Sequence, residues 1–268
     1  MGNVFVTVEQ VETPARFIDA RFNLMDAEEG RALYEKEHIA GAVYFDLEKD
    51  LSDMSKKDGR HPMPEKEQLV DLFESAGLQL EDRIYIYDQG GAPFAPRAWW
   101  MLKYAGFRYV FIVNGGFEAL KKAGYATTSN KETFDRTQIT PVWQEETYAD
   151  RDYVKAITEG KKDSMLLDAR TAVRYRGEHE PLDPVAGHIP TAKNFDWEQV
   201  KDGGSLVVTD ELQQAVPGDR EVVVYCGSGV TASPLYTVLK EAGYDNVKLY
   251  VGSYSDWITQ YEAATGEE

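Results

Sequence analysis

The stretch VVVYCGSGVTAS, residues 222–233, decides the fold. Its first four residues are β-branched or aromatic and show no polar alternation, which predicts a strand buried on both faces, as in a parallel sheet. Cys226 follows that run directly, and the apolar spacing beyond it predicts a helix over residues 231–242. The stretch therefore predicts a strand, a short loop and a helix, with a thiol at the start of the loop.

The position of Cys226 favours nucleophilic chemistry. Gly227 and Gly229 allow a tight turn around the sulfur. The backbone N–H groups of a loop that enters a helix carry partial positive charge, which favours a thiolate or another anion held there. A lone cysteine is more often a small buried hydrophobic residue. The glycines, the nearby hydroxyls and the strand-to-helix position favour the reactive interpretation here.

The sequence contains an internal repeat. Three pairs of segments correspond: FIDAR at 17–21 with LLDAR at 166–170, HIAGAVYFD at 38–46 with HIPTAKNFD at 188–196, and IYIYDQGG at 84–91 with VVVYCGSG at 222–229. Strands alternate with helices in each copy, which predicts an α/β fold of two tandem domains. We expect each domain to be a mostly parallel sheet covered by helices on both faces.

The repeat also predicts the domain limits. We expect a non-catalytic first domain, a linker and a catalytic second domain over residues 1–128, 129–146 and 147–268 respectively. The first copy has Asp88 where the second has Cys226, so only the second copy can perform thiol chemistry.

One polar segment of the first copy, residues 47–64, is unusually long for a connection between elements. It contains Gly59 and two prolines and shows no helical or strand periodicity. Loops of this length are disproportionately functional or mobile.

Composition excludes several classes of partner. The 46 acidic and 29 basic residues give a formal net charge of −17, which repels nucleic acids and anionic membranes. One cysteine cannot form an intramolecular disulfide, and with four histidines it gives no recognisable zinc spacing, so we expect no metal or organic cofactor. The N-terminus, MGNVFVTVEQ, has neither a basic start nor a long apolar core, which predicts a cytoplasmic protein.

The chain resembles the two-domain rhodanese-type sulfurtransferases, a family that includes 3-mercaptopyruvate and thiosulfate sulfurtransferases. The resemblance rests on DAR and HI-x-x-A in both copies, APRAWW at 95–100 and CGSGVTA at 226–232. It implies two rhodanese-like domains with the active site between them. It also implies that Cys226 takes sulfur from a small anionic donor as a persulfide. The acceptor would be a thiol or cyanide, with a thioredoxin-like reductant as one candidate.

The resemblance assigns roles to individual residues. Ser228 would act on the leaving group together with His61 and a carboxylate, which is Glu48 here. Arg174 would bind the acidic group of the donor, with Arg176 as the fallback. The remaining substrate-binding candidates are an aromatic residue at the cleft mouth and the loop itself: Phe94, Gly227, Gly229, Val230 and Thr231.

The sequence gives conflicting indications about the donor. The neutral loop CGSG is similar to that of 3-mercaptopyruvate sulfurtransferases, whereas Arg and Lys after the cysteine are typical of thiosulfate sulfurtransferases. However, Leu182 and Asp183 stand where mercaptopyruvate enzymes usually carry a second arginine. We expect 3-mercaptopyruvate as the favoured donor and thiosulfate as the competing one.

Two other functions remain open. A persulfide carrier or binding module without a dedicated small donor would show the same motifs. A phosphatase of the same fold would need an arginine at the end of a longer loop, and the sixth residue after Cys226 is Ala232.

Several polar residues of the repeat are expected to be structural. Asp19 and Asp168 follow apolar runs and are placed to cap local backbone. His38 and His188 are expected to bond to backbone within turns. Thr191 stands where the family has glycine and is expected to alter a turn.

Overall fold

The computed structural model describes residues 4–218 and 220–267, which form two compact units. The N-terminal unit contains the residues up to Asp53, Pro64–Gln144 and Asp202–Leu206. The C-terminal unit contains Met54–Met63, Glu145–Lys201 and the residues from Val207 onward.

The N-terminal unit is built on a five-stranded sheet in the order β1-β6-β5-β2-β4, with every neighbouring pair parallel. A separate antiparallel pair joins β3 to β7. The strands are β1 (Phe5–Val6), β2 (Arg16–Asp19), β3 (His38–Ile39), β4 (Ala42–Tyr44), β5 (Arg83–Tyr87), β6 (Tyr109–Val113) and β7 (Thr127–Thr128). The helices are α1 (Glu29–Lys36), α2 (Lys66–Ser75), α3 (Phe94–Tyr104), α4 (Gly116–Lys122) and the 3-10 turn Val8–Gln10.

The C-terminal unit repeats this design. Its strands are β8 (Tyr148–Ala149), β9 (Ser164–Asp168), β10 (Lys193–Asn194), β13 (Glu221–Tyr225) and β14 (Val247–Tyr250). A separate pair, β11 (Lys201–Asp202) and β12 (Ser205–Leu206), stands where the chain passes out of this unit, and β12 groups with the N-terminal unit. The helices are α5 (Arg151–Thr158), α6 (Ala172–Tyr175), α7 (Asp210–Ala215), α8 (Ala232–Glu241), α9 (Ser253–Trp257) and the 3-10 turns Glu145–Thr147 and Trp197–Val200.

The sheet of the C-terminal unit has the order β8-β14-β13-β9-β10, again parallel throughout. Position for position this matches β1-β6-β5-β2-β4, so the central strands β5 and β13 occupy equivalent places. The predicted α/β fold of two parallel sheets flanked by helices is therefore confirmed.

The central strand β13 lies in the core of its unit. Val222, Val223 and Val224 are fully buried, and Val223 and Tyr225 pack in one cluster with residues of β9, β14 and α9. Burial on both faces explains why the sequence shows no polar alternation here. The helix that follows, α8, begins within one residue of the predicted position.

The stretch 129–144 groups with the N-terminal unit. Arg136 forms ion pairs with Asp71 and Glu74, and the Thr137 hydroxyl donates to the carbonyl of Leu78 at 2.7 Å. The domain limits inferred from the repeat stay a prediction. The contacts add that the short segments 54–63 and 202–206 each group with the unit other than the one that precedes them in the chain.

The turn at Thr191 keeps the conformation that glycine has in the other copy. Thr191 has a φ of 69°, and Gly41, its counterpart in HIAGA, has a φ of 81°. Both residues have the left-handed backbone conformation, so the expected change in the turn does not occur. Thr191 is β-branched, and β-branched residues rarely adopt this conformation.

Among the helices of the described residues, none has both the length and the apolar character needed to cross a membrane.

Candidate active site

The loop after β13 curls around the sulfur of Cys226. The thiol Sγ accepts the N–H of Gly229 at 3.1 Å, and Gly229 has a φ of 76°, which favours glycine. The N–H of Cys226 donates to the Ser253 hydroxyl at 3.1 Å. Thr231 precedes the first turn of α8, so the loop enters a helix as predicted.

A second set of bonds ties the loop to α9. The N–H of Tyr254 donates to the carbonyl of Cys226 at 3.0 Å, and the N–H of Ser255 donates to the carbonyl of Gly227 at 2.8 Å. Two consecutive loop carbonyls are thus fixed by two consecutive amides. The backbone on both sides of the thiol is held in place.

The segment 54–63 contributes directly to this site within the C-terminal unit. Gly59 has a φ of 93°, and a Cβ there would lie 2.7 Å from the Ser255 hydroxyl. The N–H of Arg60 donates to the same hydroxyl at 3.1 Å. Glycine is therefore needed for the close approach that brings Arg60 and His61 to the loop.

His61 and Ser228 form a buried hydrogen-bonded pair. The ring Nδ1 of His61 lies 2.8 Å from the hydroxyl oxygen of Ser228, and both residues are buried. An imidazole at this distance can accept the hydroxyl proton or donate to the oxygen, depending on its tautomer. The pair can therefore move a proton two residues along the chain from Cys226.

Two guanidinium groups converge on Gly227, the residue after the thiol. A Cβ on Gly227 would collide with Nη2 of Arg60 and lie 3.3 Å from Nη2 of Arg174. Arg60 donates to Asp183 through Nε at 2.9 Å and Nη2 at 3.1 Å. Arg174 donates to Glu180 at 2.7 Å and to Asp183 at 3.3 Å. The loop is neutral in sequence but lies against two cations.

Buried carboxylates hold these arginines in an alternating row. Glu180 also pairs with Arg170 at 3.2 Å, and Arg170 pairs with Asp168 at 2.6 Å. Burial alone would raise the pKa of Glu180, but Arg174 and nearby backbone N–H groups outweigh it and lower that pKa. Glu180 is thus ionised at neutral pH and pairs with Arg174.

Comparison with known protein families shows to which family the chain belongs. The Rhodanese-like domain matches the chain twice, over residues 8–123 and 150–260. The chain belongs to the rhodanese family. The two matches coincide with the two copies of the repeat.

Three proteins similar to this rhodanese in sequence or structure carry names of sulfur-transfer enzymes. A probable 3-mercaptopyruvate sulfurtransferase from Pseudomonas aeruginosa is 38% identical over 263 residues, which covers 93% of this chain and 92% of that protein. A protein from Mycobacterium tuberculosis, provisionally named thiosulfate sulfurtransferase SseB, is 34% identical, with 96% and 94% covered. The crystal structure of SseA from Escherichia coli, described as a 3-mercaptopyruvate sulfotransferase, matches with a TM-score of 0.82 and 30% identity, covering 95% of this chain and 100% of that one. The present rhodanese is a sulfurtransferase, which moves sulfur from a donor to an acceptor.

Three further predicted site residues of this rhodanese make contacts within their own units. Arg176 pairs with Glu178 and Glu267. Glu48 lies half-buried in the N-terminal unit, where its N–H donates to Asp46. Phe94 is the first residue of α3 and packs edge-on against Phe22. The roles assigned to Glu48, Phe94 and Arg176 stay predictions. The other loop candidates flank the thiol directly, with Val230 buried and Thr231 at the helix start.

The polar residues expected to be structural make the same contacts in both rhodanese units. Asp19 pairs with Arg21 at 2.6 Å, and Asp168 pairs with Arg170 at the same distance. His38 and His188 each use Nδ1 to contact a backbone carbonyl, at 2.7 and 2.8 Å. Each ring also stacks on a tyrosine at 3.8 Å. These contacts support a structural role.

Arg60 is a charged residue of the site that the sequence does not single out, and it does not single out the loop-binding residues Ser253 and Ser255 either. His61, the neighbour of Arg60, was recognised because it matches a family motif. A signal was nevertheless present, because Asp183 stands where a cation is usual, and a buried carboxylate requires a cation from elsewhere.

In the N-terminal unit, the side chain of Asp88 folds back onto the backbone of the loop in which it stands. Its carboxylate accepts the N–H of Gly90 at 2.8 Å and the N–H of Ala95 at 3.0 Å. These amides play the part that Gly229 plays toward the thiol. Burial, aided by the charge of Asp19, outweighs the amides and raises the pKa of Asp88 to about 6.

The Asp88→Asn variant should lose a pH dependence of stability. The pKa of Asp88 is raised from 3.8 to about 6, so the folded state holds the proton to a higher pH than the unfolded chain. The contribution of Asp88 to stability is thus present below about pH 4 and lost as the pH rises through about 6. Between about pH 4 and 7 the variant should gain about 2 kcal/mol in free energy of unfolding relative to wild type. Urea unfolding at both pH values measures the difference.

The control for this measurement is Asp135→Asn, which neutralises an exposed carboxylate in the same unit. It should reproduce the pH profile of the wild type. Parallel profiles for Asp88→Asn and Asp135→Asn would contradict the raised pKa.

Proposed function

We propose that this sulfurtransferase takes sulfane sulfur from 3-mercaptopyruvate, holds it as a persulfide on Cys226, and passes it to a thiol or to cyanide. A thioredoxin-like reductant is one thiol acceptor of this class. Two of the three relatives described above carry names with the same donor.

The first half-reaction needs a nucleophile and a proton. The Cys226 thiolate attacks the donor sulfur, an S–S bond forms, and the C–S bond of the donor breaks. The electron pair of that bond goes to the carbon skeleton, which leaves as the enolate of pyruvate and takes up a proton. In the second half-reaction the acceptor attacks the outer sulfur, and Cys226 leaves as a thiolate.

The His61–Ser228 hydrogen bond is the observation that carries this proposal. An enolate leaving group needs a proton or a strong hydrogen bond, and a hydroxyl bonded to an imidazole can supply either. With thiosulfate, the S–S bond of the donor breaks and sulfite leaves with the electron pair without needing a proton. A buried serine–histidine pair next to the nucleophile is therefore useful mainly for mercaptopyruvate.

The test is a comparison of kcat and kcat/KM for 3-mercaptopyruvate and thiosulfate on one preparation, with cyanide as the acceptor. We expect the higher kcat with 3-mercaptopyruvate and slower turnover with thiosulfate. A higher kcat with thiosulfate would contradict the preferred donor. Stoichiometric loading of Cys226 that then stalls with both donors and every small acceptor would indicate a persulfide carrier instead.

A further inference from the structure

We propose that Arg60 is a donor-binding residue, which supplies beside Arg174 the second cation that the loop sequence lacks. This inference rests on the proposed function, because it concerns the donor that loads Cys226. It extends the donor range to the dianion thiosulfate.

The first argument is position. Nη2 of Arg60 occupies the space into which a side chain on residue 227 would project, and Nη2 of Arg174 lies beside it. Residue 227 follows the nucleophile directly, so the two guanidinium groups lie against the residue that adjoins Cys226. Gly227 and Arg60 together thus present a cation where a single arginine after the cysteine would otherwise have to stand.

The second argument is orientation. Asp183 accepts from Nε and Nη2 of Arg60, which engages two of the five N–H donors of a guanidinium. The backbone of Arg60 is fixed separately through Ser255. Arg60 is therefore held at its backbone and at its guanidinium, so its side chain loses little further freedom when it binds an anion.

The third argument is the contrast in exposure along the row of charges. The side chains of Asp183 and Glu180 are 1% and 2% exposed, whereas those of Arg60 and Arg174 are 31% and 16% exposed. The carboxylates therefore lie behind the arginines, and an incoming anion meets the cations first.

Charge then predicts which donor depends more on Arg60. The carboxylate of 3-mercaptopyruvate carries one negative charge, which one guanidinium can pair in a bidentate geometry. Thiosulfate carries two, and the second cation matters most for it. Arg60 should therefore contribute to both donors and more to thiosulfate.

The experiment measures single-turnover loading of Cys226 by mass spectrometry over a range of donor concentrations, together with kcat and KM. In Arg60→Gln, kcat/KM should fall about a hundredfold for thiosulfate and about tenfold for 3-mercaptopyruvate. The loss should lie mainly in KM. Arg60→Lys keeps the charge without the planar fork and should recover part of the thiosulfate activity.

Two further variants separate donor binding from other effects. Arg220→Gln removes one charge from an exposed arginine of the same unit, which pairs with Asp163, and should leave both donors unaffected. Arg60→Gln leaves the buried carboxylate of Asp183 with less neutralisation, which could itself disturb the loop. The double variant Arg60→Gln, Asp183→Asn removes both charges and should still lose thiosulfate selectively.

The outcomes are distinct. Recovery of thiosulfate loading in the double variant, or equal losses for both donors in Arg60→Gln, would overturn the role of Arg60 and leave the proposed function intact. Failure of the wild type to load sulfur from either donor would overturn both.

Discussion

The Cys226→Ser variant should lose sulfur transfer from any donor, with a decrease in kcat/KM on the order of 10⁴-fold or more. A hydroxyl can accept the N–H of Gly229 in place of the sulfur, and it fits the space inside the loop. Its oxygen is a weak nucleophile without a base and cannot hold a sulfane sulfur as a persulfide does. The fold should survive, because the bonds from Tyr254 and Ser255 to the loop involve backbone carbonyls only.

The chain is favourable for measuring this effect. Cys226 is the only cysteine, so a mass increase of one sulfur atom after donor treatment can be assigned to one residue. The wild type should show that increase and the variant should not. Circular dichroism and the melting temperature of the variant serve as the control for folding. Measurable transfer of sulfur by a folded Cys226→Ser protein would rule out Cys226 as the nucleophile.

The fold could be predicted because its determinants are local. A run such as VVVY in β13 has no polar alternation, and its β-branched and aromatic residues favour a strand covered on both faces. The matching IYIY in β5 then predicts a second sheet of the same kind. The equal order of strands in the two sheets follows from that duplication.

The charged part of the site could not be predicted in the same way. Arg60 and Asp183 are 123 residues apart in the chain, and no periodicity connects them. Segment 54–63 is polar and irregular, so only its packing against α9 shows which of its residues reach the loop. The length of the polar connection 47–64 indicates a function but not a location.

For Asp88, the sequence predicts the chemistry that the first copy has lost, and only the structure gives the contacts of the side chain. The sequence indicates that a carboxylate has replaced the thiol, and this excludes thiol chemistry in the first copy. Only the structure shows that the loop amides still bind an anion, which the chain now supplies itself. The raised pKa of Asp88 follows from its burial, which a sequence pattern does not quantify.

The Ser228→Ala variant should separate the two donors. Loss of the hydroxyl removes the partner of His61 and the hydrogen bond to the developing enolate, so kcat for 3-mercaptopyruvate should fall roughly tenfold to a thousandfold. Thiosulfate releases sulfite, which needs no proton, so its kcat should change much less. The measurement is the ratio of kcat values for the two donors in the variant and in the wild type.

A matched serine controls for disturbance of the loop. Ser233 is buried in the first turn of α8, and its hydroxyl donates to the carbonyl of Gly229 at 3.0 Å. Any effect of Ser233→Ala should be common to both donors, because that hydroxyl bonds to the backbone and not to an acid–base group. His61→Asn should follow Ser228→Ala in selectivity, since it removes the imidazole from the same pair. Equal losses for both donors in Ser228→Ala would mean that Ser228 only shapes the loop, and the preference for mercaptopyruvate would then have no support from the His61–Ser228 pair.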